Sequence, residues 1–312
     1  MENIPWEKNY IRYKHLNFWI KANSENYDLR RKYELNNCVT RYFLSLSLPS
    51  VDREKVYRKL QQELKDKRLE EKTDIRHFEF TMNTIVTPTT FDVSFSKDSV
   101  SITCGDLKET IPRDRYEILR AMSSDEDIVC MIVRYSSFAS GSFSWQTPLK
   151  VYERLYDKYG LTLEGCASPI NSQLQLVSPF KGRYCSAFGS DKVFGSIGNL
   201  FSIDLEGECV LINPPFVEDF MLFLTNKVTK TLNCAKAETT IIFVLPAWTD
   251  SKPHMELSKS KWLKAIYDLK PGEHYYEDAL TNKVIKTKFG STVFVLSNKD
   301  VDISDAIELF KL

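Results

Sequence analysis

The sequence lacks the features that mark several common classes of protein. Its 42 basic and 42 acidic residues cancel, giving a net charge of zero, which argues against coating long nucleic acid by bulk charge and permits only a local basic groove. No apolar run approaches the roughly 18 residues of a membrane span, and the first ten residues lack the apolar core of a signal peptide. Neither a transmembrane nor a secretory segment is therefore expected.

Cysteine and histidine are too scattered to indicate a metal site or a disulfide framework. The seven cysteines never form a CxxC pair, and the four histidines include no HExxH pattern. The sequence therefore predicts no metal cofactor. It predicts a reduced, soluble, intracellular protein, located in the nucleus or the cytoplasm.

The chain is long enough for one large or two modest domains. It has 312 residues, of which 43% are hydrophobic and 12% aromatic, a composition typical of globular proteins. Helical periodicity runs over 7–48 and 52–72, and a period-two pattern then predicts a hairpin of Phe91–Phe95 with Ser99–Thr103. Helices return at 112–137 and 148–159.

From residue 160 onward, short apolar runs alternate with amphipathic stretches. The predicted strands are Leu161–Cys166, Phe201–Leu205, Cys209–Ile212 and Thr239–Leu245. A turn and a helix are predicted over 170–188 and helices over 217–232 and 258–268, and an antiparallel hairpin of 283–288 with 291–297 ends the pattern. This alternation indicates a mostly parallel, doubly wound sheet, in which ligands bind beyond the carboxyl ends of the strands.

One such end carries the motif Asn213-Pro214-Pro215-Phe216. The Asn213 side-chain carbonyl and the Pro214 backbone carbonyl can both accept N–H bonds from an amine conjugated to a planar ring, which aims the nitrogen lone pair at a methyl donor. The prolines fix the backbone, and Phe216 can stack on the ring. An ordinary Pro-Pro turn after a strand remains the alternative for these four residues taken alone.

Four motifs in a fixed order resemble the catalytic core of the phosphorylated-CTD-interacting-factor family. They are Cys166–Asn171, Arg183–Phe188, Phe194–Gly198, and Asn213–Phe216 followed by Glu218. The resemblance is densest over 160–222 and extends over about 112–297. Members of that family methylate N6 of the adenosine next to an mRNA cap.

The resemblance implies a fold, a cofactor and a partner. The fold is an α/β, Rossmann-like class I methyltransferase with a mostly parallel seven-stranded sheet that ends in an antiparallel hairpin. It would occupy 111–312, after a helical companion domain at 1–110 that contains a β-hairpin and binds substrate or cap. The cofactor is S-adenosyl-L-methionine, and the partner is a capped mRNA 5′ end that starts with adenosine. Binding to a polymerase tail is not implied, because no paired-Trp motif of a WW domain is present.

The resemblance also assigns roles to individual residues. The residues implied in catalysis are Asn213, Pro214, Pro215 and Phe216. Those implied in cofactor binding are Ala167, Ser168, Pro169, Asn171, Phe194, Gly195, Ser196, Gly198 and Asn213. Those implied in substrate binding are Phe216, Glu218, Trp248, Arg134 and Arg183. Alternatives stay open: Trp248 as the cover of a strand end, either arginine as a structural ion pair, and the two glycines as parts of a surface turn.

Other functions use the same chemistry or the same fold. An adenine in internal RNA or in DNA, or the N4 amine of cytosine, needs the same amine-holding turn. A glutamine methyltransferase shares an NPP-aromatic turn but typically has a Gly-rich first motif, which this sequence lacks. A catalytically idle subunit that binds cap or RNA is the remaining alternative, and the intact motif argues against it.

Overall fold

The structure, a computed structural model, shows two compact units, residues 2–143 and 144–312. The residues that it describes are 6–46, 48–69, 71–72, 74–76, 90–136, 144–177 and 182–311. The predicted boundary between 110 and 111 falls inside the first unit, because the helix Asp125–Ser136 lies against the helix Trp6–Ser24 and the helix Arg113–Met122 lies against the strands that precede it.

The first unit combines helices with a small antiparallel sheet. Its elements are α1 (Trp6–Ser24), α2 (Leu29–Leu46), α3 (Arg53–Asp66), β1 (Phe91–Phe95), β2 (Ser99–Cys104), β3 (Leu107–Pro112), α4 (Arg113–Met122) and α5 (Asp125–Ser136). The predicted hairpin is confirmed. Its register places Val93 opposite Ile102, and β3 adds a third strand. The predicted helix over 112–137 is two helices, because the backbone of Ser123 is extended.

The second unit is built on a six-stranded mixed sheet. Its strands, in spatial order, are β6 (Arg183–Ser186), β5 (Leu163–Ala167), β7 (Cys209–Ile212), β8 (Thr240–Pro246), β12 (Ser291–Ser297) and β9 (Leu263–Leu269). Strands β6, β5, β7 and β8 are parallel neighbours, and β12 runs antiparallel between β8 and β9. The predicted α/β class with a mostly parallel sheet is confirmed, although the described residues form six strands in this sheet rather than seven.

Two predictions about the C-terminal part of this unit were wrong. Residues 263–269 form strand β9 and not the end of a helix, since burial alternates along them with period two. Strand β12 therefore pairs with β9, and not with a hairpin partner at 283–288. Those residues contain β11 (Lys283–Lys286), which joins β10 (Tyr275–Asp278) and β4 (Trp145–Gln146) in a separate small sheet.

Two shorter predictions also differ from the structure. Over 170–188, the described residues form the short helix α7 (Leu174–Val177) and then strand β6. Residues Phe201–Leu205 are not a strand: a 3-10 helix spans Leu200–Ser202, because the side chain of Asn199 accepts the Phe201 N–H at 3.0 Å and caps a turn there.

Helices cover both faces of the large sheet. They are α6 (Leu149–Tyr159), α8 (Glu218–Cys234), α9 (Lys252–Ser258) and α10 (Ser304–Ile307). The apolar face of α8 packs on one side, with Ile212 and Phe243, and α6 packs on the other, with Leu211 and Ile242. Because adjacent strand residues face opposite layers, β7 and β8, which are buried along almost their whole length, contribute side chains to both sides of the core. None of the described helices is long and apolar enough to cross a membrane.

Candidate functional site

Four parallel strands end at one edge of the large sheet. The chain leaves β5 at Ser168, β7 at Asn213 and β8 at Ala247, while β6 ends at Ser186. This carboxyl edge is where an open α/β sheet binds its ligands. The structure therefore brings the predicted NPPF turn, the predicted cofactor segments and Trp248 to the same edge.

The NPPF turn presents two acceptors for an amine. The Val217 N–H bonds to the Pro215 carbonyl at 2.8 Å, so the Pro214 carbonyl stays outside the turn's own hydrogen bond. Asn213 is half-buried, and its side-chain amide bonds to none of the described residues. Pro214 is buried, and its ring restricts the backbone of the turn.

Phe216 belongs to a group of aromatic rings. Its ring lies 6.4 Å from that of Trp248 and 5.8 Å from that of Phe289, and both contacts are edge-to-face. Trp248 remains 43% exposed and is held in place by the Ser251 hydroxyl, which donates to its carbonyl at 2.7 Å. A planar ring bound at Asn213 would therefore meet an aromatic surface.

The loop after β5 is shaped by its own polar side chains. The Ser168 N–H and hydroxyl both donate to the Asn171 side-chain oxygen, at 2.7 and 2.9 Å. Pro169 is buried, and Ala167 is half-buried at the end of the strand. The loop predicted to bind cofactor thus lies at the carboxyl edge of the sheet, where ligands are expected. Ser168 and Asn171 bond to each other, which gives them a role in shaping the loop.

Sequence reasoning missed Glu164, which anchors this loop from below. This carboxylate is only 3% exposed, and it accepts bonds from the Tyr152 hydroxyl at 2.8 Å, the Ser172 hydroxyl at 3.0 Å and the Leu174 N–H at 3.1 Å. Burial, and then the nearby Glu164 charge, raise the pKa of Tyr152 well above its usual value, so the phenol stays a donor. A single acidic residue within an apolar run was the only sequence signal.

The second predicted cofactor segment lies beside the end of β6. Ser196 bridges to Tyr184 in parallel, and its hydroxyl pairs with that of Ser186 at 2.7 Å. Gly195 ends a 3-10 helix with φ of 86°, after the buried Phe194. Gly198 has φ of 117°, and no atom lies within 4 Å of the position that a Cβ would take.

The two cysteines of this region are packing residues. Burial raises the pKa of the Cys185 thiol to about 12, and it raises the pKa of Cys166 well above its usual value. A thiol in this state is a poor nucleophile. Among the described residues, no group of three or more His, Cys, Asp or Glu side chains could hold a metal ion.

The predicted substrate residues divide into three sets. Glu218 joins Trp248 at the site, where its carboxylate accepts the Lys252 N–H at 3.2 Å. Arg183 does not belong there, because it begins β6 at the opposite edge of the sheet and is ion-paired with Glu208. Arg134 is a buried residue of α5 in the other compact unit, so its contact with substrate stays a prediction.

Three buried oxygens beside the β5 loop have no partner among the described residues. The Gln173 amide donates to the Thr147 carbonyl at 3.3 Å and to Glu277 at 2.9 Å, which fixes the orientation of its oxygen. That oxygen, the Gln146 side-chain oxygen and the Thr147 hydroxyl are buried without a hydrogen bond to any residue that the structure describes. Such groups are costly to leave unpaired, and a bound ligand with suitable donors would satisfy them.

Two curated proteins and one solved structure are similar to this chain. Two curated proteins, from Mus musculus and Homo sapiens, are named mRNA (2'-O-methyladenosine-N(6)-)-methyltransferase, and each is 28% identical over 158 residues. The match covers 47% of this chain but only 21% of each relative, so the chain spans about a fifth of their length. A solved structure assigned as a class I S-adenosylmethionine-dependent methyltransferase from Listeria monocytogenes covers 95% of this chain and 90% of that chain, at 11% identity and a TM-score of 0.33.

A family match covers more than half of the chain. The family described as phosphorylated CTD interacting factor 1 WW domain matches residues 116–279, which contain the NPPF turn, the β5 loop and the Phe194–Gly198 segment. The chain therefore belongs to the phosphorylated CTD interacting factor 1 WW domain family.

Proposed function

We propose that this protein is an S-adenosylmethionine-dependent methyltransferase that modifies N6 of an adenosine in RNA, at the position next to the mRNA cap. The observation that carries the proposal is the NPPF turn: it lies at the carboxyl end of central strand β7, and no residue that the structure describes bonds to the Asn213 amide. The name of the mouse and human relatives supports the same substrate. The N-terminal region, predicted as a companion domain, would bind the capped end.

The chain's residues would prepare a poor nucleophile. The adenine N6 lone pair is delocalised into the ring, so it must be turned out of that conjugation before it can attack a methyl carbon. The Asn213 side-chain oxygen and the Pro214 carbonyl accept hydrogen bonds from the two N–H groups of the amine, while Phe216 stacks on the face of the ring. Fixing the amine in line with the methyl group can supply roughly 7–11 kcal/mol of the barrier reduction.

The proposed cofactor supplies, when bound, an electrophilic methyl group on a sulfonium centre. The residues present fit it. Its α-ammonium group carries three N–H donors. The side-chain oxygens of Gln146, Thr147 and Gln173, which have no partner in the described part of the chain, are acceptors buried beside the β5 loop. The buried Gly198, with open space where a side chain would stand, would let the ligand approach the backbone.

The substitution Thr147→Val is expected to weaken cofactor binding without lowering the stability of the protein. Because the Thr147 hydroxyl is buried and bonds to no residue that the structure describes, an isosteric valine should leave the melting temperature of the cofactor-free protein equal or higher. The same change should weaken binding of S-adenosylmethionine about tenfold, the equivalent of one hydrogen bond. Calorimetric titration and thermal unfolding measure the two effects without any turnover.

Thr240→Val is the matched control for this experiment. The Thr240 hydroxyl bonds to Ser297 at 2.9 Å at the opposite edge of the sheet. That variant should lose stability and keep its affinity for the cofactor. Equal cofactor affinity in Thr147→Val and the original protein would refute the assignment of this hydroxyl.

The substrate is tested with labelled S-adenosylmethionine and four short RNAs, capped or uncapped and starting with A or G. We expect methyl on N6 of the first adenosine of the capped A-start RNA alone, identified by nucleoside analysis. Equal transfer to the uncapped A-start RNA would replace the cap-adjacent substrate with RNA adenine in general. Transfer to none of the four, with cofactor binding intact, would reject the RNA methyltransferase and favour a different adenine substrate or an idle binding subunit.

A further inference from the structure

The aromatic surface at the site extends past the residues that the motif predicts. Beyond Phe216 lies Phe289, which precedes β12, and beyond Phe289 lies Trp145 of strand β4, with ring centres 6.5 Å apart. All three rings are half-buried, so each keeps a face or an edge that solvent can reach. Trp145 and Phe289 have no role in the single-base site described above.

The orientation of these rings sets the kind of ligand they suit. The planes of Trp145 and Phe289 are inclined by only 8°, whereas the plane of Phe289 stands at 88° to that of Phe216. A base stacked on Phe216 and a second base stacked on Trp145 or Phe289 would therefore lie nearly perpendicular to each other. Neighbouring bases of a helix lie parallel, so this surface suits a single strand that is unstacked at the target.

Buried side chains hold Trp145 and Phe289 in place from behind. The ring of Tyr276, which is 2% exposed, lies 6.3 Å from each of them. The Tyr276 hydroxyl bonds to Ser291 at 3.1 Å, and Ser291 bonds to Nε2 of His274 at 3.0 Å. Burial lowers the pKa of His274, which favours the neutral imidazole. Its Nδ1–H donates to the Lys270 carbonyl at 2.9 Å, so Nε2 can accept a hydrogen bond from the Ser291 hydroxyl.

The backbone next to Phe289 is fixed as well. The Ala247 N–H donates to the Gly290 carbonyl at 2.9 Å, which ties the start of β12 to the end of β8. A Cβ on Gly290 would lie 3.1 Å from the Ala247 Cβ and 3.3 Å from the Leu269 carbonyl. The close approach of these segments places Phe289 beside the NPPF turn before any ligand binds.

We propose that Trp145 and Phe289 form a second base subsite, which stacks the nucleobase joined to the target adenosine and holds it unstacked from the target. This inference rests on the proposed function and specifies its substrate as a single strand with at least two planar bases. The neighbouring base can be attached on the 3′ side or, through a phosphate bridge, on the 5′ side. Stacking on a ring tolerates any base, so the subsite adds affinity with little sequence preference.

The test compares one-base with two-base probes in binding to the full chain. The probes are adenosine monophosphate, a dinucleotide with guanine on the 3′ side, a dinucleotide with guanine on the 5′ side through a triphosphate, and the abasic form of each dinucleotide. We expect at least one two-base probe to bind about tenfold more tightly than its abasic form, and the side that gives the gain identifies the neighbour. Since stacking of one base is worth roughly this factor, Trp145→Leu should reduce the ratio to near one and Phe289→Leu should reduce it partly.

Two further variants keep the test decisive. Trp145→Phe retains a ring and should keep most of the gain in affinity. That result would show that the loss in Trp145→Leu comes from the missing ring and not from a general folding defect. Val284→Ala changes an exposed side chain on β11 of the same small sheet, and should change neither the ratio nor the turnover. Equal affinity of the two-base probes and their abasic forms, or a full gain in both leucine variants, would overturn the subsite. Methyl transfer by the original protein is measured separately. Its absence would contradict the proposed function, whereas the binding ratios test the subsite alone.

Discussion

Replacing Asn213 with alanine is expected to reduce kcat for methyl transfer by a factor on the order of 100 or more, because a preorganised polar partner of the reacting amine is lost. The side-chain amide of Asn213 is bonded to none of the described residues, so the fold does not depend on it, and the thermal unfolding midpoint should change little. Initial rates with saturating RNA and cofactor give kcat, and circular dichroism on heating gives the midpoint.

The control for this variant is Asn233→Ala, at the other end of α8. The Asn233 side-chain oxygen accepts the Trp262 indole N–H at 3.0 Å, far along the chain from the site and on the exposed surface. Its removal should alter kcat by less than about twofold, as is usual for a surface substitution. If Asn213→Ala turned over at a rate close to that of the original protein, the role of the NPPF turn as the amine clamp would have to be abandoned.

The NPPF site could be predicted from the sequence because its determinants are local. A buried strand, the Asn213–Phe216 turn and an amphipathic helix follow one another directly, and each has its own pattern. The carboxyl edge of the sheet then follows from the alternation of strands and helices. Arg183 was assigned to the site because it belongs to the same motif as Ser186. The four-residue strand β6, however, is about 10 Å long from its first residue to its last. Arg183 and Ser186 therefore lie at opposite edges, although they belong to one motif.

The remaining parts of the site come from distant segments, which local patterns do not reveal. Gln173 meets Glu277, and Trp145 meets Phe289, across more than one hundred residues of sequence. Strand β9 was missed for a different reason: its outward face carries Lys264 and Asp268, and charged residues spaced in this way also fit a helix. The alternating burial along residues 263–269 distinguishes a strand from a helix here.

The substitution Glu164→Ala is expected to lower the free energy of unfolding by about 3–5 kcal/mol. The carboxylate accepts three buried bonds, from Tyr152, Ser172 and Leu174, and alanine would leave all three donors without an acceptor, at about 1–3 kcal/mol each with partial relaxation. Urea unfolding measures this change. Because Ser172 and Leu174 flank Gln173, cofactor affinity should also fall, which calorimetric titration at a stabilising temperature can measure.

Glu206→Ala distinguishes a buried anchor from an ordinary carboxylate cap. The exposed Glu206 also accepts two backbone N–H bonds, from Lys236 at 2.6 Å and Ala237 at 3.1 Å, but water can replace it there, so its loss should be much smaller. The loss of unfolding free energy in Glu164→Gln should fall between those of the two alanine variants. The amide keeps one acceptor oxygen, but its NH2 group replaces the other oxygen and cannot accept a hydrogen bond. An unfolding free energy for Glu164→Ala no lower than that of Glu206→Ala would show that the β5 loop is held by its own Ser168–Asn171 bonds. The cofactor edge would then owe its shape to the loop alone, and not to the carboxylate below it.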